Sequence, residues 1–333
     1  MNTTISAIDY YLPSQVVKTR DMMAEVKPER LGFSETLIED LIGIIEVRHA
    51  LDDEKPSTLA TYAAEKALAK FDGNPDEIDL LIFCGIDRDY VEPSTAHVVQ
   101  KNLGLRNAVC FDVSNACLGF MSGMQIANSA IESGMSRNVM ICTGERPSQL
   151  SKVTAPHLRG LEDRTEFFNK IGALTVGDAG VAAIISRSEG ISGIKSMNFV
   201  SNGQLTNLCY YKQDKDIVTE GQMLMKEIST AILDAHKALL PTSLKTANIK
   251  ASDINCLITH QVGKRPWERY PKIIGVERNS MTKTFDTLGN ITSATFGVNY
   301  ARAIESQQIK AGDLVMAAMA GSGLSVCQVT MIA

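Results

Sequence analysis

Asp112-Val113-Ser114-Asn115-Ala116-Cys117-Leu118-Gly119-Phe120 is the stretch on which the fold reading turns. The apolar run from Val109 to Val113 reads as a strand, the chain then bends sharply, and a helical pattern begins at Leu118. A thiol at the start of a helix meets unpaired backbone N–H groups and the positive end of the helix dipole. Both favour thiolate, the form that attacks a thioester. The small residues Ser114, Ala116 and Gly119 let a substrate carbonyl approach the backbone. Cysteine is also a common small buried hydrophobe, and Cys84, Cys110, Cys142, Cys209, Cys256 and Cys327 mostly sit in apolar runs of that kind.

Working outward, strand runs alternate with helical patterns, which specifies helices packed on sheets in an α/β fold. Strands are expected at Leu80 to Cys84, Val139 to Thr143, Ala179 to Ile185, Cys256 to Thr259 and Leu314 to Met319. Helices are expected over Ser57 to Lys70, Thr95 to Leu103, Leu118 to Ser133, Glu220 to Leu239 and Ala294 to Gln307. Two echoes recur in the same order. Asp76-Glu77-Ile78-Asp79-Leu80-Leu81-Ile82 resembles the pattern Ala251 to Ile258. Ala130-Ile131-Glu132-Ser133 followed by Val139-Met140 matches Ala303-Ile304-Glu305-Ser306 followed by Val315-Met316. The chain therefore reads as a duplicated α/β unit, residues 1–186 carrying the cysteine and 187–333 forming the second half.

At 333 residues and 44% hydrophobic, the chain can bury one large core or two fused ones. Net charge is −5 without a basic stripe, which speaks against a nucleic-acid partner. No run is long enough to span a membrane, and Met1-Asn2-Thr3-Thr4-Ile5 lacks the character of a signal peptide. Seven cysteines without paired spacing suggest reduced thiols and a cytoplasmic location. No CxxC or His/Cys cluster points to a metal.

The second half supplies two further candidates. His260, in Thr259-His260-Gln261-Val262-Gly263, follows a buried strand, and the carboxyl ends of strands are where α/β folds place chemistry. Asn290, in Leu288-Gly289-Asn290-Ile291-Thr292-Ser293-Ala294, stands at a loop-to-helix junction, where asparagine also serves as turn former or cap. Beside a cysteine, His and Asn form either an oxyanion hole for a thioester enolate or, through His, a base for the thiol. Lys264 and Arg265 next to His260 suit a pantetheine phosphate or an acidic carrier helix, and equally a solvated basic pair. Gly177-Asp178-Ala179-Gly180 fits a tight turn into a buried strand better than a phosphate loop. His49, His97, His157 and His236 lack supporting partners and receive no role.

Ser114 to Gly119, Thr259-His260-Gln261 and Gly289 to Ala294, in that order, resemble the Cys-His-Asn set of the thiolase-fold ketosynthase III (3-oxoacyl-ACP synthase III) family. The likeness begins at Tyr11-Leu12-Pro13, passes through Gly43 to His49 and Gly177 to Ala182, and closes at Gly321-Ser322-Gly323-Leu324. It implies a homodimeric, five-layered αβαβα fold of two duplicated halves. Cys117 would be the nucleophile, and the backbone at Cys117, Gly321, Ser322 and Gly323 would stabilise the oxyanion. The substrate would be an acyl-CoA or acyl carrier protein thioester, and no other cofactor would be needed.

Asp87 to Ala96 is similar to the corresponding stretch of the head-to-head acyl-CoA condensing enzymes of the bacterial olefin pathway. In them, and in related pyrone-forming ketosynthases, a glutamate stands at the position of Glu92 and reaches the partner subunit's site. A head-to-head Claisen condensation must remove an α-proton from an unactivated thioester, and a partly desolvated carboxylate can take it. The residue type alone reads as a solvated loop acid beside Asp87, Arg88 and Asp89. The family's initiating enzymes hold the coenzyme A adenine with a Trp and an Arg where this chain has Leu37 and Leu41, which leaves coenzyme A or a carrier protein open. Rival readings are a decarboxylating synthase using malonyl thioester, a pyrone- or diketide-forming synthase, and a non-catalytic subunit that lends Glu92 to a heterodimer.

Overall fold

In the computed structural model, which describes residues 3–214 and 217–333, the chain folds around two large sheets. In chain order the first strands are β1 (Thr3–Tyr11), β2 (Gln15–Lys18), β3 (Glu46–His49), β4 (Ile78–Phe83), β5 (Val109–Asp112), β6 (Asn138–Glu145) and β7 (Ala179–Arg187). There follow β8 (Gly193–Ser201), β9 (Cys209–Asp214), β10 (Ile217–Met223), β11 (Cys256–Thr259), β12 (Leu314–Gly321) and β13 (Ser325–Ile332). The first sheet has the order β1-β7-β6-β4-β5 and the second the order β11-β12-β13-β8, while β2 pairs β3 and β9 pairs β10 in separate two-stranded ribbons.

The duplication read from the echoes is visible in the pairing. β1/β7 and β7/β6 are antiparallel and β6/β4 parallel. Likewise β8/β13 and β13/β12 are antiparallel and β12/β11 parallel. In each half a short 3-10 turn, Pro75–Glu77 or Ala251–Asp253, feeds the parallel strand. Among the described residues, only the first sheet gains an extra edge strand, β5.

Alternation on these strands divides the core into layers. The helices Gly119–Glu132 and Thr295–Glu305 lie between the sheets, where Phe120 and Phe296 approach to 6.2 Å between ring centroids. Both rings are fully buried, so truncating either to alanine would cost about 3–5 kcal/mol. The helix Pro56–Lys70 covers the outer face of the first sheet with Ala60, Ala63, Ala64 and Ala67, small residues that allow close approach. Helices Met225–Ala247 and Lys264–Ile274 cover the outer face of the second with Leu233, Trp267 and Tyr270. The result is the five-layered αβαβα thiolase fold.

Several boundaries differ from the sequence reading by a residue or two, and two differences bear on the site. The strand at Val109 ends at Asp112, which still pairs with Phe83, and the Asp112 carboxylate accepts the Thr95 and Ala96 amides, both at 2.8 Å, at the start of the helix Thr95–Leu103. The helix expected from Glu220 begins only at Met225, since residues 217–223 pair with β9 as a hairpin, Gly221 opposite Tyr211 and Met223 opposite Cys209. Cross-strand partners thus override a local helical period. Asp178, in the irregular segment before β7 and not in a tight turn, accepts the amides of Ala50 and Ser148 and so holds two backbone segments together. No helix among the described residues is long and apolar enough to cross a membrane.

Candidate active site

The turn carrying Cys117 is fixed from three sides. Val113 N–H donates to the Phe83 carbonyl at 2.8 Å, and Asn115 Nδ2 donates to Ser122 Oγ at 2.9 Å. Ala116 takes a left-handed φ of 45°, a strained setting for a residue with a Cβ. Gly119 is required because a Cβ there would lie 2.1 Å from the Cys84 carbonyl oxygen. The helix begins at Gly119 with Leu118 as its N-cap residue, so Cys117 lies just outside the first turn. The expected thiolate meets an opposing effect here. Burial pushes the Cys117 thiol well above the usual cysteine range, with the charge of Glu145 adding to the rise, and only the local backbone N–H opposes them. Desolvation works against the helix terminus.

His260 follows β11, its N–H donating to Ala318 O at 3.1 Å, and burial lowers its imidazole to about 4. The ring is therefore neutral at physiological pH. Asn290 is locked by its own backbone, donating to Thr175 O at 2.9 Å and accepting from Gly177 N–H at 3.1 Å. Its Oδ1 accepts the Thr292 amide at 3.0 Å, which leaves Nδ2 as the group to be offered elsewhere. Gly321, the last residue of β12, packs against the Cys117 turn so closely that an added Cβ would stand 3.3 Å from the Cys117 amide nitrogen and 3.1 Å from that of Leu118.

Cys117, His260, Asn290, Gly321 and Ser322 all line one cavity of about 310 Å³. Its wall is largely apolar, with Phe168, Met223, Met225, Ile228 and Ile232, whereas Lys226, Lys264, Arg265 and Arg269 contribute charge at exposed positions. That arrangement suits a ligand with an acyl chain and an anionic carrier. Leu41 also lines the cavity, and Leu37 does not.

The profile of the family "3-Oxoacyl-[acyl-carrier-protein (ACP)] synthase III" matches residues 111–203, and that of its C-terminal region matches residues 244–331, together more than half of the chain. The chain belongs to the 3-oxoacyl-ACP synthase III family. It is accordingly an acyltransferase of the thiolase superfamily. Among curated relatives, a beta-ketoacyl-[acyl-carrier-protein] synthase III of Rickettsia bellii is 29% identical, covering 95% of this chain and 94% of its own. An acyl-CoA:acyl-CoA alkyltransferase of Xanthomonas campestris is 28% identical, covering 97% and 96%. Among solved structures, cerulenin-bound OleA of Xanthomonas campestris superposes with a TM-score of 0.93 at 25% identity, covering 100% of this chain and 97% of that one. A cysteine-to-serine variant of that enzyme with bound lauric acid and lauroyl-CoA gives 0.92 at 25% identity, covering 100% and 99%.

Within this synthase III fold, some sequence candidates lie outside the cavity lining. Glu92 sits on an exposed loop, and Gly323, with a φ of 137°, lies beyond the Gly321–Ser322 contact. The loop of Glu92 is not a run of solvated acids. Asp87 accepts the Arg146 amide at 2.6 Å, and Asp89 accepts the Ser57 amide at 2.9 Å and its hydroxyl at 2.6 Å. His49, His97 and His157 also stay out of the cavity lining.

Sequence reasoning missed Glu145, the last residue of β6. It is fully buried, accepts hydrogen bonds from Ser293 Oγ, Thr143 Oγ1 and Ile86 N–H, and is raised to about 8 by burial and then by the charge of Asp87. It thus ties the Asn290 loop to the loop that leads to Glu92. A carboxylate ending an otherwise apolar strand was the available signal. Cys209 and Met223 were missed as cavity residues because nothing local marks a hairpin that folds over a distant site.

Proposed function

We propose that this protein joins two acyl-CoA thioesters by non-decarboxylative, head-to-head Claisen condensation and releases a β-keto acid. The observation that carries the reading is the convergence of Cys117, His260 and Asn290 on one apolar cavity flanked by exposed lysine and arginine residues. The likeness to the acyl-CoA:acyl-CoA alkyltransferase of Xanthomonas campestris, and to OleA with bound lauroyl-CoA, favours acyl-CoA for both substrates over malonyl thioester.

In the first step the Cys117 sulfur attacks the acyl carbonyl carbon, the backbone N–H groups near Cys117 and Gly321-Ser322-Gly323 receiving the oxyanion. The carrier thiol leaves with the cysteine's proton. The second thioester then enters with its carbonyl oxygen held by His260 and Asn290 Nδ2. A partner subunit's Glu92 removes its α-proton, the carbanion attacks the acyl-cysteine, and Cys117 departs. Water hydrolyses the remaining thioester. The chain works as two units, 1–186 supplying Cys117 and Glu92 and 187–333 supplying His260 and Asn290, without a cofactor or metal. Lys264 and Arg265 meet the carrier's phosphates.

The homodimer part of the reading rests on β5. This strand is the open edge of the first sheet, yet it exposes Val109 at 68% and Phe111 at 37%, and Val91 near Glu92 is 84% exposed. An unprotected apolar edge invites pairing with a second copy. The test is incubation with lauroyl-CoA alone, with intact-mass analysis of the protein and extraction of products. Wild type forms the β-keto acid or its decarboxylated ketone, and Glu92→Ala stops at acylated Cys117. A requirement for malonyl thioester in both proteins would replace this reading with the decarboxylating one. A pyrone would move it to the cyclising synthases.

A further inference from the structure

Behind His260, on the outer face of the second sheet, lies a row of buried polar side chains that the reaction described above does not use. Thr259 of β11 pairs with Ala318 of β12, which pairs with Gln328 of β13, so all three side chains stand on one face. The helix Met225–Ala247 lays His236 over this row. Its ring is wholly buried and lies edge-on to Tyr270, with centroids 5.4 Å apart. Among the described residues, His236 Nε2, His260 Nδ1, Thr259 Oγ1 and Gln328 Oε1 are all buried without a hydrogen-bond partner. Four such atoms in one place demand an account, since buried polar groups in folded proteins are almost always hydrogen-bonded.

The tautomer of His236 follows from Gln328. Gln328 Nε2 donates to the His236 carbonyl at 2.9 Å, which fixes the amide's orientation, and the same nitrogen lies 3.4 Å from His236 Nδ1. An amide nitrogen only donates, so Nδ1 accepts and the neutral ring carries its proton on Nε2. Burial keeps the ring neutral, lowering it to about 3, and the charge of His260 acts in the same direction, so the two imidazoles feel each other. A buried N–H without an acceptor therefore lies near a buried ring nitrogen without a donor. His260 Nδ1 is sealed off, and Nε2 is the nitrogen left to the cavity that His260 lines.

We infer that His236 is a positioning residue whose Nε2–H reaches His260 Nδ1 through one buried water, which the unpartnered Thr259 hydroxyl and Gln328 Oε1 also flank, holding His260 as the tautomer that presents Nε2–H to the cavity. This settles a choice that residue types leave open. A His260 fixed in that form is a donor to the carbonyl or enolate oxygen of the second thioester, alongside Asn290, and is not the base for Cys117. The catalytic consequence rests on the proposed condensation; the tautomer does not.

The test separates the two. The chain has five histidines, so nitrogen-15 histidine labelling gives a short spectrum in which His260→Ala assigns the relevant ring. In wild type, His260 shows a protonated Nε2 and a pyridine-like Nδ1. In His236→Leu it becomes a mixture of tautomers, and His236→Gln, which keeps an N–H, restores it. Condensation of lauroyl-CoA falls about fivefold in His236→Leu, the rate equivalent of one neutral hydrogen bond, while acylation of Cys117 is unchanged. Should the leucine variant fail to fold, Gln328→Met releases the His236 tautomer and produces the same mixture. A His260 protonated on Nδ1 in wild type, or unaltered in the folded variants, overturns the inference. Tautomers as stated in a protein that condenses nothing would count against the proposed function alone.

Discussion

Asn290 Oδ1 accepts the Thr292 amide N–H at 3.0 Å, and Thr292 holds the left-handed φ of 49° that aims this amide back. The side chain can therefore offer only its NH₂ group elsewhere. Asn290→Asp keeps the acceptor for Thr292 and removes the donor, so the loop is preserved while a repelling carboxylate faces the second thioester. Acylation of Cys117 survives, and product formation falls about 10²–10³-fold, the range for losing one oxyanion donor. Intact-mass and product assays on the same sample check both halves. Loss of acylation would place Asn290 in the first step instead.

Cys117 gives a pH prediction with a definite sign. Burial raises the thiol's pKa, so the thiolate fraction at neutral pH is smaller than in an ordinary cysteine, whose pKa is about 8.5. Iodoacetamide labelling of Cys117 should then climb with pH through 9 without levelling, about tenfold per pH unit. A plateau at or below neutral pH would mean that the helix terminus wins after all. Substituting Cys117 by alanine or serine must abolish the acyl-enzyme.

The site was only partly legible in the sequence, for physical reasons. Cys117, His260 and Asn290 each sit at a junction whose residue types are forced, a strained turn at Ala116, a strand end at Thr259 and a backbone-clamped loop. Such junctions leave local marks. Glu145, Cys209 and His236 reach the region through tertiary packing, from a strand end, a hairpin and a helix face. Nothing beside them in the chain records what they touch. The same contrast explains the fold. Most strand and helix positions follow from hydrophobic period, but residues 220–223, the end of β10, were read as helix because the pairing with β9 that makes them a strand leaves no mark in their own period.

The open edge at β5 makes the dimer testable through one residue. Val109→Lys puts a charge on an exposed apolar position without disturbing the chain's own core. Light scattering should show a shift toward monomer. Acylation should persist, because Cys117 and the lined cavity belong to one chain, whereas condensation should fall about as far as in Glu92→Ala. A dimer that survives the substitution would place the subunit contact elsewhere.

Glu145 supplies a stability prediction. Its folded-state value of about 8 lies above the ordinary 4.5, so the native state holds a proton that the unfolded chain has lost. Its contribution is full below pH about 4.5, declines as pH rises toward 8, and is constant above that. Glu145→Gln keeps an acceptor for Ser293 and for Ile86 and has no proton to lose. The melting temperature of the variant relative to wild type should therefore rise between pH 5 and 8 and level off above. A difference independent of pH would mean that Glu145 is ionised throughout, with Ser293, Thr143 and the Ile86 amide together compensating its burial.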